Sequence, residues 1–446
     1  NKNTIKKIYK TKIFYVNKYM SWNNYPKIKS NNIEFLTQNF ELNSQYDENL
    51  AYGLGRSYGD VCLNENGNII VTSKFNKIIE IDHNNGILHC ESGISIKEIL
   101  KVITPMGWFL PVVAGTRNIT IGGAIANDIH GKNHHKVGSF GNFVKSIDLL
   151  RSNGEILICD EEENTEYFKA TIGGMGLTGI ILAAKIKLTK INSEYITVET
   201  RRYNSLESYF EVNSALEKNN EYTVSWVDCV MKNEGGLRGV YHSGNHSNDY
   251  LSNKKIKDLK IKFPFTPPFS FVNNLSMKMI NELYYQLNKD TANKLQHYKS
   301  FFFPLDVIDS WGRAYGKKGF LQYQFVVPKE NSFETMRKVL HEIKEYNQIP
   351  ALGVLKTFGS IKSIGYMSFP REGLTLALDF RIKDNETFKF LNRLDNIVID
   401  NNGSLYPAKD ARMSSDTFTK SFDNLEFFSK FVDPKFSSSF WRRVNI

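Results

Sequence analysis

Glycine is concentrated in the first part of this 446-residue chain: 18 of its 30 glycines fall between residues 53 and 179. They cluster in three segments: Gly53-Leu54-Gly55-Arg56-Ser57-Tyr58-Gly59-Asp60, the stretch Gly115 to Gly131, and Gly173-Gly174-Met175-Gly176-Leu177-Thr178-Gly179-Ile180. A backbone that repeatedly gives up its side chains must turn tightly or lie close against something, another backbone or a ligand. The first segment is not a dinucleotide-binding fingerprint. Tyr58 stands where that motif needs its third glycine, and no helical pattern follows. It is not a P-loop either, because no Gly-Lys-Ser/Thr follows. What remains is a turn whose backbone N–H groups, with Arg56, Ser57 and Tyr58, could cradle an anion. A plain structural turn fits the segment equally well.

The second segment carries small residues at Gly122, Gly123, Ala124 and Ala126, with donors at both ends. That combination suits close approach of a large flat group joined to a pyrophosphate. His130, His134 and His135 lie near Asp128, but their spacing matches no zinc pattern, so no metal site is expected. His130 reads as a catalytic or cofactor-facing residue, and His134 and His135 as packing residues. The third segment leads into a buried strand, where close backbone packing is the simpler reading.

Between these segments the chain reads as short strands, Ile69–Thr72, Lys77–Ile81 and Ile87–Glu91, with turns such as Asn84-Asn85-Gly86. A helix follows. Ser95 and Glu98 form a capping-box pattern, and Ile96, Ile99, Leu100 and Ile103 mark one apolar face. Thr104-Pro105 and Gly107 stop it. Ser152-Asn153-Gly154 predicts a hairpin within Lys145–Cys159, and Leu177–Leu188 reads as a strand. The glycine density falls after about Ile191. Beyond it come a strand at Gln322–Val327, a helix at Phe333–Tyr346, a strand at Leu374–Ile382 and a helix at Phe388–Val398. Strands and helices without regular βαβ alternation predict an α+β fold.

Lys and Arg number 57 against 47 Asp and Glu, a net charge of +10, which fits an anionic partner. Cys62, Cys90, Cys159 and Cys229 form no Cys-x-x-Cys pair, so a reducing compartment is the default. Asn1 to Met20 shows no apolar core of a signal peptide, and no apolar run reaches the length of a membrane span. The expectation is a cytoplasmic protein, soluble or peripheral at the inner face of the cell membrane. From Lys254 to Phe271, five lysines precede an alternation of Phe and Pro that suits an acidic lipid surface. A solvated loop is the alternative for that stretch.

Taken in order, Gly-Leu-Gly-Arg-Ser-Tyr-Gly-Asp at 53–60, Gly-Thr-Arg at 115–117, and Gly-Gly-Ala-Ile-Ala-Asn-Asp-Ile-His-Gly-Lys-Asn-His-His at 122–135 resemble the FAD-linked oxidases of the vanillyl-alcohol oxidase superfamily. The branch they resemble oxidises the 2′-hydroxyl of a polyprenylphosphoryl-β-D-ribose to the 2′-keto intermediate of an epimerisation. Gly-Ser-Phe-Gly-Asn at 138–142, Gly-Leu-Thr-Gly-Ile at 176–180, Phe-Leu-Gln-Tyr-Gln-Phe at 320–325 and Tyr-Pro-Ala-Lys-Asp at 406–410 extend the resemblance over nearly the whole chain.

The resemblance implies an FAD-binding domain from residues 1–194, completed by a C-terminal return over 404–446. Residues 195–403 would form a substrate domain with an antiparallel sheet. It also implies site residues. Gly53, Leu54, Gly55, Arg56, Ser57, Tyr58 and Gly59 would hold the pyrophosphate. Gly115, Thr120, Ile121, Gly122, Gly123, Asn127, Asp128, Ile129, His130, Ile181 and Tyr406 would line the cofactor. Tyr58, Lys132, Gln322, Gln324, Lys356, Thr375 and Lys409 would meet the substrate, with Lys409, His130 and Gln324 catalytic. Arg56 stands where covalently flavinylated relatives carry His, so FAD is expected to be non-covalent. Two positions depart from the branch: Ala377 replaces its inhibitor-reactive Cys, and Thr375 replaces an Asn. A separate NAD-dependent short-chain reductase is the expected partner.

Alcohol oxidation requires a group that handles the hydroxyl proton. Lys409 can do so if its pKa is lowered, with Lys132 and Arg412 as candidate neighbours. Gln322 and Gln324 alternate along one strand and share a face, towards a cofactor or towards solvent. A flavin oxidase of a soluble aldonolactone or polyol is the alternative, as is a flavin-free structural relative. Nucleic-acid binding is disfavoured, because no recognition motif is present.

Overall fold

A computed structural model describes residues 19–38, 40–42, 45–229, 237–248, 261–262, 267, 270–309 and 311–445. The lysines at 254, 255, 257 and 260 and most of the Phe/Pro stretch after them lie outside the described residues.

Three sheets carry the fold. The first is parallel, with β1 (Asn32–Phe35) and β2 (Asn49–Tyr52) flanking β3 (Asn68–Val71). The second is antiparallel, in the order β4 (Ile78–Asp82), β5 (Ile87–Glu91), β8 (Ile180–Lys187), β6 (Val144–Leu150), β7 (Ile156–Asp160). The hairpin expected at Ser152-Asn153-Gly154 joins β6 to β7, and Gly154 takes φ +86°, which glycine adopts without strain. Against this sheet packs α1 (Ile96–Ile103). Ser95 Oγ accepts from the Glu98 amide at 3.2 Å, and Glu98 Oε2 accepts from the Ser95 amide at 2.9 Å. The four apolar positions read from the sequence are all buried. A short helix, α2 (Ile121–Ala126), starts at Thr120, whose side chain accepts from the Gly123 amide.

The third sheet is antiparallel and eight-stranded. Its chain-order members are β9 (Tyr195–Tyr203), β10 (Tyr222–Asp228), β11 (Arg238–His246), β12 (Thr291–His297), β13 (Phe320–Val327), β14 (Gly353–Phe358), β15 (Gly373–Arg381) and β16 (Ser404–Leu405). In space they run β12, β9, β11, β10, β14, β15, β13, β16. Helix α3 (Asn274–Leu287) precedes β12, while α4 (Ser332–Glu345) and α5 (Asp384–Asp400) pack on the sheet.

Side chains alternate along a strand, and here the alternation divides labour. Tyr323, Phe325, Val327, Leu355, Leu374, Leu376, Leu378 and Phe380 enter the core shared with Met336, Val339, Phe390 and Leu394. The intervening Gln322, Gln324, Val354, Lys356, Thr375, Ala377 and Asp379 all face one cavity on the opposite side. The hydrophobic requirement of one face thereby fixes which polar residues share the other.

The C-terminal helix, α6 (Ser439–Val444), returns to the first glycine turn. Arg443 forks onto Asp60 at 2.9 and 2.7 Å and donates to Asp410 at 3.0 Å. Asp60 and Asp410 are buried, so one guanidinium neutralises two carboxylates and ties the turn to the segment carrying Lys409. The Arg443→Ala variant is expected to lose about 3 kcal/mol of stability, because it strands both carboxylates. A lowered thermal midpoint with weakened cofactor retention checks this, and Arg443→Lys should fall between the two.

Candidate active site

The cavity has a volume of about 1060 Å³, at the upper end of the range for small-molecule sites. One wall is the turn at 53–58 with the segments 113–116 and 119–132, and the other is the polar face of the eight-stranded sheet. The Tyr406–Lys409 segment closes one end, and α3 with residues 300–308 rims the other.

The first glycine turn is shaped for an anion. Among the described residues, the amides of Gly53, Leu54 and Gly55 donate to no protein acceptor, while the Tyr58 amide bonds the Ala408 carbonyl at 2.8 Å. Several unpaired amides on one turn that lines a cavity form a nest. Gly55 has φ +61°, and a Cβ there would lie 2.0 Å from the Tyr52 hydroxyl oxygen, so only glycine allows this path. The Arg56 guanidinium lies 4.8 Å over the Trp22 ring. Beyond the turn, Gly115, Gly122, Gly123, Ala126 and Ile181 present a surface of small and apolar groups. Nothing lies within 4 Å of where a Gly115 Cβ would stand. These features fit FAD: amides for the pyrophosphate and a flat small-residue wall for the rings.

Most sequence-predicted residues line this cavity: Gly53 to Tyr58, Gly115, Thr120, Gly122, Gly123, Asn127, Ile129, His130, Lys132, Ile181, Gln322, Gln324, Lys356, Thr375, Tyr406 and Lys409. Gly59, Ile121 and Asp128 stand behind the wall instead. Asp128 is fully buried and accepts from Ser139 Oγ (2.8 Å), Ser368 Oγ (2.6 Å) and the Gly141 amide (2.7 Å), so it straps the loop after α2. Gly59 sits against the Asp410 carbonyl, where a Cβ would clash at 1.7 Å. Gln322 and Gln324 point into the cavity rather than to solvent, only 9% and 5% exposed.

His130 is held on both ring nitrogens. Lys356 Nζ lies 2.8 Å from Nδ1 and also donates to the Gly131 carbonyl at 3.0 Å. An ammonium only donates, so Nδ1 accepts and Nε2 carries the hydrogen. Nε2 meets the Gln324 amide at 2.9 Å, and the tautomer requires that amide to offer its oxygen. Burial, then the Lys356 charge, holds the imidazole pKa well below its usual value, so the ring is neutral. His134 and His135 do pack as expected, with the His134 ring tilted against Phe358 at 4.3 Å and His135 against the Asn220 carbonyl at 3.0 Å.

Three lysines share the cavity. Burial lowers Lys132 to about 7, and its ammonium lies 4.4 Å over the Phe301 ring. Burial and the like charges of Lys132 and Lys409 lower Lys356 to about 7. Lys409 Nζ lies 3.8 Å over the Tyr58 ring. Burial lowers its pKa too, and the nearby Asp379 carboxylate opposes that shift. Arg412 is not part of this group. It forks onto Asp395, with Nη1 to Oδ2 at 2.7 Å.

Asp379 is the residue the sequence reading passed over. It is 1% exposed, accepts from Gln322 Nε2 at 2.6 Å and from Tyr315 OH at 3.4 Å, and burial raises its pKa. Its signal is one acid between Leu378 and Phe380, on the alternate face of the strand, paired in register with Gln322.

The chain matches the FAD binding domain family over residues 42–160. It is 37% identical over 412 residues to decaprenylphosphoryl-β-D-ribose oxidase of Mycolicibacterium smegmatis, covering 89% of each chain. This chain belongs to the decaprenylphosphoryl-β-D-ribose oxidase family. A Streptomyces coelicolor protein without assigned activity is 26% identical over 79% of this chain and all of its own. Mouse L-gulonolactone oxidase is 23% identical over 39% of each chain, so the resemblance to lactone oxidases reaches only part of the molecule. As a member of the oxidase family the protein is an FAD-dependent oxidoreductase. Among the described residues no helix is long and apolar enough to cross a membrane.

Proposed function

We propose that this family member oxidises the 2′-hydroxyl of a polyprenylphosphoryl-β-D-ribose to the 2′-ketone. The observation that carries the reading is the convergence of Lys409, Lys356, Lys132 and the two glutamines of one strand on a single cavity, opposite the amide nest of the 53–58 turn. Full-length similarity to an oxidase named for that class of substrate supports it, whereas the lactone oxidases match only part of the chain.

Bound FAD supplies the acceptor for the hydride that leaves the carbinol carbon. In this proposal the protein contributes everything else. Lys409 takes the hydroxyl proton, because burial leaves a useful fraction of its amine unprotonated near neutrality. The Tyr58 ring and the Asp379 carboxylate hold that amine in place. His130 acts as a positioning residue, locking Lys356 on one side and Gln324 on the other. Lys132 and Lys356 give an anionic head group two desolvated cations. Thr375 Oγ1 lies 3.2 Å from the same Gln324 amide, so the alternation along β13 and β15 sets the spacing of the sugar-facing groups. We divide the chain by role into an FAD-binding part, residues 1–194 with 404–446, and a substrate part, residues 195–403. β16 joins the two at the sheet edge.

The FAD is taken to be non-covalent. The turn carries Arg56, both His130 nitrogens are engaged, and burial pushes the cavity-lining Cys62 thiol up to about 12. Epimerisation requires the ketone to be reduced again, which calls for a separate nicotinamide-dependent reductase. That partner and a lipid-linked substrate favour a position at the cytoplasmic face of a membrane.

Two measurements test this. Lys409→Ala should retain FAD but lose at least about a hundredfold in the rate of anaerobic flavin reduction by decaprenylphosphoryl-β-D-ribose, a typical contribution of a proton-transfer group. Undiminished bleaching in that variant would contradict the assignment, and reduction by soluble lactones alone would overturn the substrate. Acid precipitation should leave all the yellow flavin in the supernatant, whereas a covalent link would keep it in the pellet.

A further inference from the structure

Helix α3 is attached the opposite way round from an ordinary amphipathic helix. Apart from Met277, which packs into a small apolar cluster, its fastened side is polar: Asn281 donates to Asp228 at 2.7 Å, Glu282 pairs with Arg238 at 2.8 Å, and Arg238 lies 4.5 Å over the Tyr285 ring. Its outward side is apolar. Leu275, Met279, Leu283 and Leu287 recur every fourth residue and are 70%, 66%, 61% and 73% exposed. Such a stripe normally faces a core, and a contiguous exposed apolar patch marks an interaction surface. The stripe is continuous with the active site, because Ile280 and Tyr284, both exposed, also line the cavity rim beside Met277.

The charge around the helix selects the partner. Residues 270–300 hold four lysines and two acids. Both acids, Glu282 and Asp290, are paired with Arg238 and Arg202. Lys278, Lys289 and Lys294 are exposed on or just after the helix. A second copy of the chain would bring this basic surface against itself. An acidic lipid surface instead offers acyl chains to the leucines and headgroups to the lysines.

We propose that the outward face of α3 docks on an anionic bilayer, with Leu275, Met279, Leu283 and Leu287 among the lipid chains, so that the cavity opens directly onto the membrane. The purpose of the arrangement rests on the lipid-linked substrate proposed above: a polyprenyl chain passes from bilayer to cavity rim along an unbroken apolar surface. Docking itself is measured without substrate.

The test is flotation of the FAD-loaded protein with vesicles of equal parts phosphatidylcholine and phosphatidylglycerol, and with vesicles of phosphatidylcholine alone. The wild type should float with the anionic vesicles, and raised salt should weaken this. The double variant Leu283→Glu/Leu287→Glu, altered only at exposed positions outside the cavity lining, should bind those vesicles on the order of tenfold or more weakly. It should still reduce its flavin normally with a water-soluble short-chain analogue. Equal flotation of variant and wild type would overturn the proposal. So would wild-type protein that ignores anionic vesicles, or a wild-type dimer that the variant converts to monomer with no change in flotation. Failure of the wild-type protein to reduce its flavin with the ribose substrate would instead count against the proposed reaction, independently of the flotation result.

Discussion

Three buried lysines and one buried carboxylate in one cavity set the terms for this candidate active site. Like charges close together in low dielectric repel strongly, so the cavity cannot hold Lys132, Lys356 and Lys409 all fully protonated at little cost. The protein relieves the crowding in three ways. The Phe301 ring lies under Lys132, the neutral His130 accepts from Lys356, and the Tyr58 ring with Asp379 receives Lys409. Each relief is partial. What survives is a set of amines whose lowered pKa values suit proton transfer and anion binding near neutral pH.

That arrangement depends on the scaffold at two places. The eight-stranded sheet presents its polar face as one surface only because its other face is committed to α4 and α5, leaving no freedom of register. The segment carrying Lys409 is fixed by the fork of Arg443 onto Asp60 and Asp410, which brings the end of the chain against its first glycine turn. The amide nest and Lys409 therefore meet through a single shared ion-pair cluster, although more than 350 residues separate Gly53 from Lys409 in sequence.

Local chemistry made much of this legible in advance. The capping box at Ser95, the hairpin at Gly154 and the strands around 87–91 and 320–327 follow from rules that operate within a few residues. The glycine turns were readable as candidates, and the family resemblance turned them into a site. Features that depend on the tertiary fold were not readable. Nothing in the sequence shows that Asp128 would be buried behind the wall as a strap, that Arg412 would be spent on Asp395, or that both His130 nitrogens would be taken. Asp379 shows the limit most clearly. Its inward position follows from strand alternation, but its electrostatic influence on Lys409 follows from a loop 30 residues on that folds back over the sheet edge.

The central claim is that Lys409 takes the substrate proton and that Asp379 sets when it can. The direct measurement is the pH dependence of anaerobic flavin reduction in Asp379→Asn. Removing the carboxylate withdraws the one neighbour that favours the charged amine, so the rising limb of the profile should move to lower pH by about one unit or more. A limb that stays where the wild type has it, in a variant that still binds FAD, would contradict the account.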